Sequence, residues 1–191
     1  QGHINAMYDM DGIVRHAILY VEPDGKRVYS MQFEAARMYA LQKGYDVQLP
    51  PTNSRGQFFV SFSAKPGDFY DGVNLSMLIN CEVDPSYYDG KLVLIGPYTT
   101  GLQDSYNTPI DKGQMMYGVE YQANVIQCIL DAKYKQEAPD YFQIGALFIV
   151  CFAFCVFCYD RKLRFTIPAV LVGEFVAIGI SLWLYSLGYI T

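Results

Sequence analysis

The hydrophobic residues of this chain are concentrated in two long runs near its C-terminal end, residues 141–159 and 165–187. A helix that crosses a hydrocarbon core of about 30 Å needs about 20 mostly apolar residues, and both runs are long enough. The charged pentad between them, Asp160-Arg161-Lys162-Leu163-Arg164, is too short to fold. The pattern therefore predicts two transmembrane helices over 141–159 and 165–187, joined by a turn at 160–164.

In residues 1–138 the hydrophobic stretches are shorter, and their spacing is that of strands in some places and of helices in others. Apolar stretches on both sides of Asp9-Met10-Asp11-Gly12 predict strands over 4–8 and 13–22 that meet in a tight turn. The continuous apolar run at 91–96 predicts a strand that is buried on both faces. Short strands are also predicted over 27–30 and 58–62, and helices over 31–42, 73–80 and 119–132. The predicted fold is an α/β domain, a mixed sheet with flanking helices, followed by a transmembrane hairpin.

The charged residues indicate how the chain is oriented in the membrane, and they argue against one class of partner. Up to Asp140 there are 17 acidic and 11 basic residues, a formal charge of −6, and this argues against nucleic acid as a partner. Arg161, Lys162 and Arg164 lie in the short turn between the two spans, and such residues are enriched in cytoplasmic loops. The turn is therefore predicted to be cytoplasmic, with residues 1–140 outside a cell membrane that the chain crosses more than once.

Asp9 and Asp11 invite comparison with a calcium-binding loop. Such a loop needs a Glu at its twelfth position, and counting from Asp9 that position holds Tyr20, so an EF-hand is rejected. Two interpretations of the pair remain, a structural turn and a ligand site at the tip of the hairpin.

A second group of candidates follows the apolar run at 91–96. Ligands of open α/β sheets bind beyond the carboxyl ends of strands, which makes Tyr98, Thr99, Thr100 and Asp104 pocket candidates. Glu120 suits the first turn of the helix that follows. The alternative is that Asp104 and Glu120 only cap and fix loops. Gly96 and Gly101 lack the Lys-Ser/Thr ending of a phosphate loop, so a nucleotide site is not predicted.

Catalysis is not predicted in this chain. Its two histidines, His3 and His16, have no accompanying Gly-x-Ser-x-Gly or His-Glu-x-x-His motif. No cofactor and no metal site is expected. An extracytoplasmic enzyme on a membrane stalk would need a nucleophile–base or metal set, and none is evident.

Cysteines and one acidic residue complete the candidates. Cys81 and Cys128 either pair or stay free, since two cysteines at arbitrary spacing define no framework. Glu174 lies near the middle of the second predicted span, where a carboxylate is costly and often functional. It is interpreted either as a transmembrane coupling residue or as a protonated contact to a neighbouring helix.

Several ordered sequence blocks resemble the type-two CHASE sensor domain of bacterial receptors. The first block contains Gly2-His3-Ile4-Asn5, then Asp9, Asp11-Gly12 and Arg15. The others are Asp89-Gly90-Lys91-Leu92-Val93-Leu94-Ile95-Gly96, Gly101-Leu102-Gln103-Asp104, Thr108-Pro109, Gly118-Val119-Glu120 and Ala123-Asn124. The resemblance covers residues 2 to about 131. Gln122 stands where the family usually has His, and the family's N-terminal strand–helix part is not in this sequence.

The resemblance implies an extracytoplasmic sensory input module, here represented by its C-terminal portion, within a longer transmembrane receptor. The expected effector is a cytoplasmic adenylate or guanylate cyclase. Alternatives are a sensor histidine kinase, a serine/threonine kinase, or a membrane-anchored binding or structural protein without effector. The family also implies a homodimer that responds to a small-molecule or envelope ligand. It adds Arg15 and Asn124 to the ligand-binding candidates.

Overall fold

The computed structural model describes residues 2–99, 102, 104–159 and 162–190. The chain divides into two compact units, of which the first ends at Tyr134 and the second begins at Lys135. The first unit mixes short strands with helices, and the second holds two long apolar helices. The predicted fold class, an α/β domain followed by two long apolar helices, is confirmed.

The strands that the structure describes in the first unit form three two-stranded antiparallel sheets. These pair β1 (His16–Ile18) with β4 (Gln57–Phe59), β2 (Tyr20–Val21) with β3 (Val28–Tyr29), and β5 (Ser105–Tyr106) with β6 (Met116–Tyr117). The turn predicted at Asp9–Gly12 is present, since the Gly12 N–H donates to the Asp9 carbonyl at 2.9 Å and Gly12 has a positive φ of 77°. The strand predicted over 4–8 is wrong. Only Ala6 forms a bridge there, on the edge of Ala17 opposite to β4.

The described part of this unit also contains the helices α1 (Met31–Gln42), α2 (Leu75–Ile79) and α3 (Gly118–Asp131). Helix α1 begins where the Ser30 hydroxyl accepts a hydrogen bond from the Phe33 N–H at 3.3 Å, which satisfies one of the free donors of the first turn. In α3 the Glu120 carboxylate accepts from the Tyr117 N–H at 3.3 Å. Both helices begin and end within one residue of their predicted limits.

The hydrophobic core lies between α1, α3 and the β1–β4 pair. Its buried members include the following side chains: Val14, Ala17, Leu19, Phe33, Ala36, Phe58, Val60, Met116, Tyr121, Val125, Ile126, Cys128 and Ile129. Tyr121 is fully buried and donates its hydroxyl to the His16 carbonyl at 3.0 Å. This bond ties α3 to the first strand.

The strand predicted over 91–96 as buried on both faces is wrong. Leu92 and Leu94 pack against the core, whereas Val93 is 44% and Ile95 is 69% exposed. Among the described residues, none pairs with the backbone of residues 92–98. The segment is extended, with one side on the protein and the other open, because no element of the described residues packs on that second face.

The second unit consists of α4 (Asp140–Cys158), α5 (Leu163–Ser186) and a short parallel pair, β7 (Gln136–Glu137) with β8 (Tyr189–Ile190). Segments Tyr141–Cys158 and Arg164–Ser186 are long and apolar enough to cross a membrane, and none of their described residues is buried. The β7–β8 pair holds the chain before α4 beside the chain after α5. The unit therefore has the connectivity of a helical hairpin with lipid-compatible faces.

Candidate ligand-binding cleft

A cleft of about 810 Å³ opens beside α3 in the first unit. One wall is the face of α3 that carries Ala123 and Gln127, and a second is the extended segment around Leu94. Tyrosines from α1, from the loop before α2 and from the 3-10 turn Pro85–Tyr88 complete the lining. Its volume lies within the range of about 300–1,000 Å³ that is usual for small-molecule sites.

An aromatic stack forms one end of the cleft. The rings of Tyr70 and Tyr98 lie parallel, with centroids 4.5 Å apart and an interplanar angle of 11°. Tyr117 adds a third ring, 4.4 Å from Tyr98 and tilted by 48°. Such contacts add about 0.5–1.5 kcal/mol per pair to the burial of the rings. The stack therefore holds Tyr98 between the loop that carries Tyr70 and the end of β6, and it leaves Tyr70 48% exposed.

The buried side chain of Glu120 holds this end of the cleft together through hydrogen bonds. It is 3% exposed, and its carboxylate accepts a hydrogen bond from the Gly67 N–H at 2.6 Å as well as the Tyr117 N–H. The Tyr98 hydroxyl lies 3.5 Å from the same carboxylate. Burial raises the pKa of Tyr98, and the nearby carboxylate raises it further. Glu120 thus joins the start of α3 to two loops that shape the cleft.

Charged groups at the rim of the cleft contact the side chains of Tyr87 and Tyr88. The Tyr88 hydroxyl donates to the Asp71 carboxylate at 2.8 Å. The pKa of Asp71 is lowered, first by the Val73 N–H and then by the Tyr88 hydroxyl. The Lys91 ammonium lies 3.6 Å from the ring centroid of Tyr87, a cation–π geometry. The rim therefore presents aromatic faces beside both signs of charge.

Two of the predicted ligand-binding residues, Tyr98 and Glu120, line this cleft. Thr99 is exposed and outside the lining, and Thr100 lies outside the described residues. The Asp104 carbonyl accepts from the Gly118 N–H at 2.9 Å, so Asp104 supports the start of α3 from behind.

Asn124 is fully buried and works within the framework of the first unit. Its amide oxygen accepts from the N–H groups of Ser63 and Ala64 at 3.1 and 3.0 Å, and its amide nitrogen donates to the Ala64 and Glu120 carbonyls. These bonds connect α3 to the loop after β4. The amide nitrogen also lies 3.4 Å from the Met116 sulfur, so the polar atoms of Asn124 are engaged within the unit and it does not line the cleft.

Asp9, Asp11 and Arg15 form a separate cluster at the first turn. Arg15 contacts Asp9 at 3.0 Å and Asp11 at 2.7 Å, and the second carboxylate oxygen of Asp9 lies 3.0 Å from the His16 ring. The Arg15 guanidinium, followed by the Ile13 N–H, lowers the pKa of Asp11 to about 2. The two carboxylates also raise the pKa of Arg15. The cluster is an ion-pair network in which two carboxylates share one guanidinium, and it does not line the cleft.

The remaining candidates were the cysteines and Glu174. Cys81 and Cys128 are both free thiols, the first exposed and the second buried. Glu174 lies in α5 and is exposed. Within the described part of the chain, no group of three or more His, Cys, Asp or Glu side chains is arranged to hold a metal ion.

Sequence reasoning missed Tyr70, Tyr87, Tyr88 and Lys91. They come from loops and a 3-10 turn, where no helical or strand period indicates a common face. The signal that was available is composition, since 17 of the 191 residues are tyrosine. An excess of tyrosine outside the predicted core indicates aromatic surface, which is typical of recognition sites.

Comparison with known families assigns the chain. The sequence model of the CHASE2 domain matches residues 1–158, so the match runs past the predicted limit near 131 and through α4. No curated protein and no solved structure matches the chain. Because the matched range covers most of the 191 residues, the chain belongs to the CHASE2 family of extracytoplasmic sensory domains, which occur in signalling receptors.

Proposed function

We propose that this chain is the sensory input module of a bacterial transmembrane receptor that controls a cytoplasmic adenylate or guanylate cyclase. One observation carries the proposal: the CHASE2 match continues from the folded unit through a helix long enough to cross a membrane. A sensory domain that is continuous with a membrane span is suited to passing a signal inward. The sensor domain occupies residues 1–138, and the spans are 141–159 and 165–187.

The signal enters through the tyrosine-lined cleft. Helix α3 contributes one face to the cleft and ends at Asp131, and the chain then reaches α4 at Asp140. A ligand that displaces α3 therefore acts on the segment that leads into the first span. Coupling requires two arrangements of this path for which the ligand has unequal affinity.

The receptor crosses the membrane with residues 1–140 outside and the turn 160–164 in the cytoplasm. The basic residues of that turn support this orientation, because short cytoplasmic loops are enriched in Lys and Arg.

The receptor works as a homodimer, with Glu174 in contact with a helix of the second copy. A carboxylate at mid-span is costly in lipid, so it is expected to face another helix. Gly173 and Gly179 have open space around them, which permits close approach of that helix. Disulfide-independent cross-linking in membranes tests the contact. Glu174→Gln, which retains hydrogen bonding, should keep the dimer, and Glu174→Leu should reduce it without blocking insertion.

The decisive experiment measures the output of the complete reading frame in membrane vesicles. Cyclic nucleotide formation from ATP and GTP is compared with phosphoryl transfer to protein in the same preparation. Cyclic AMP or cyclic GMP would support a cyclase. Phosphorylated protein would identify the input domain of a histidine or serine/threonine kinase instead. The absence of both outputs would leave a membrane-anchored binding or structural protein.

A further inference from the structure

The cleft beside α3 also indicates which class of ligand it takes, an inference that rests on the proposed sensory function and makes it more specific. Its lining contains seven aromatic rings and a floor of aliphatic side chains, including Leu92, Leu94 and Ile126. A small, strongly hydrated molecule would bury little apolar surface there. The lining instead suits a molecule with an apolar or aromatic body.

The charge of the cleft favours a cation over an anion. Among the described residues of the lining, Asp71, Glu120 and Asp131 are acidic and Lys91 is basic. An anion would need donors that are free to receive it. The N-terminus of α3 is the natural place for one, but Glu120 already occupies it through the Tyr117 N–H.

The rim also shows how a cation is held. The Lys91 ammonium lies over the Tyr87 ring, 3.6 Å from its centroid, and Tyr87 is 53% exposed. Tyr70 is stacked on Tyr98 through one face and is also half-exposed. Aromatic faces attract ammonium groups through the quadrupole of the ring, and quaternary ammonium recognition relies on this attraction. In this structure Lys91 takes the position over Tyr87 that a ligand cation would otherwise fill.

We propose that the tyrosine-lined cleft binds an organic cation, an amine or quaternary ammonium group carried on an apolar or aromatic body. The cationic group lies against the exposed faces of Tyr70 and Tyr87, near Asp71. The apolar body extends toward Leu94 and Ala123 along α3. Lys91 competes with the ligand for the face of Tyr87, so it limits affinity.

The test uses the complete chain in micelles of dodecyl maltoside, an uncharged detergent without an ammonium group, with calorimetric titration of three probes of similar size. These are benzyltrimethylammonium, neutral benzyl alcohol and anionic phenylacetate. The cation should bind with a Kd below about 10 mM, and the other two at least about tenfold more weakly. Binding of phenylacetate at equal or higher affinity, or no binding of the cation in this range, overturns the proposal.

Variants locate the site and test its electrostatics. Tyr70→Leu should weaken binding of the cation about fivefold, whereas Tyr70→Phe, which keeps the aromatic face, should stay within about twofold. Lys91→Gln should strengthen binding about threefold, because it removes a like charge from the Tyr87 face. Lys26→Gln, at an exposed turn outside the cleft lining, is the matched control and should change nothing.

Two further results would contradict the site. Weaker binding of the cation in Lys91→Gln would show that Lys91 supports the site and does not compete with the ligand for the Tyr87 face. Unchanged binding in both Tyr70→Leu and Tyr87→Leu would place the cation elsewhere. If Tyr70→Leu fails to fold, Tyr87→Leu alone tests whether the cation contacts the tyrosines of the cleft. Because the titration does not depend on any effector, its failure is distinguishable from failure of the receptor assignment. A cyclase or kinase output with no cation binding would overturn the ligand class alone.

Discussion

Gly118 lies directly against the carboxylate of Asp104, so close that a side-chain carbon at position 118 would overlap both carboxylate oxygens. The Gly118 N–H also donates to the Asp104 carbonyl at 2.9 Å. Asp104 and Gly118 therefore set the position at which α3 begins. Because α3 forms one wall of the cleft, this contact determines part of the cleft's shape.

Gly118→Ala should destabilise the first unit by about 1–3 kcal/mol, because the added methyl group forces the loop at Asp104 away from the helix. Asp104→Ala in the same chain should recover part of this loss by making room. Thermal melting of the four chains in a double-mutant cycle measures the coupling. Gly145→Ala, where the new carbon meets nothing within 4 Å, is the control. Strictly additive effects of the two changes would contradict the contact.

The helices show how far sequence patterns reach in this protein. Helix α1 occupies its predicted residues, because a serine cap precedes it and Gly44 follows it, and both are local signals. The two apolar helices were equally predictable from length and composition. Each of these elements is specified by residues that are near one another in the chain.

The prediction of a doubly buried strand at 91–96 was wrong for the opposite reason. A continuous apolar run indicates burial on both faces only when other elements pack on each face, and those elements are not visible in local sequence. Most of the cleft lining was missed for a similar reason. Tyr70 and Tyr98 stack although 27 intervening residues separate them, and no period connects loop residues that far apart.

The open side of that segment predicts self-association. Val93 and Ile95 are exposed beside a backbone without partners among the described residues, and such edges pair with other chains. Replacing both with Lys should reduce species larger than a dimer when the complete chain is sedimented in detergent. Lys at Leu92 and Leu94, which pack on the core, should instead unfold the unit. An unchanged size distribution for the Val93 and Ile95 variant would rule out association through this edge.

His3 predicts a pH dependence of stability. Both ring nitrogens are buried and have no hydrogen-bond partner among the described residues, and burial lowers the pKa of His3 from 6.5. The unfolded chain therefore takes up a proton near pH 6.5, while the folded chain stays neutral to lower pH. Stability from this source is full above 6.5 and is lost as the pH falls through that value.

Melting temperatures between about pH 7.5 and 5 measure this effect. The natural chain should lose more stability over that interval than His3→Leu, which cannot titrate at this position. The contact of His16 with Asp9 is present in both chains, so its contribution cancels in the comparison. Parallel curves for the two chains would show that His3 is not the group responsible.

The cysteine thiols allow the membrane topology to be measured by labelling in intact cells. Cys81 is exposed in the first unit, whereas Cys128 is 2% exposed and burial raises its pKa, so only Cys81 offers an accessible thiolate. A membrane-impermeant maleimide should therefore label this 191-residue chain, expressed in cells, from outside at Cys81. The label should disappear in Cys81→Ser.

The opposite side of the membrane is tested in the same Cys81→Ser background. Lys162→Cys places a thiol at an exposed position in the turn between the two spans, and it should react only after the cells are permeabilised. Cys151 and Cys155 provide an internal control, since thiols within a span lack the water that the reagent needs. Labelling of Lys162→Cys in intact cells, together with protection of Cys81, would reverse the orientation and place the cleft in the cytoplasm.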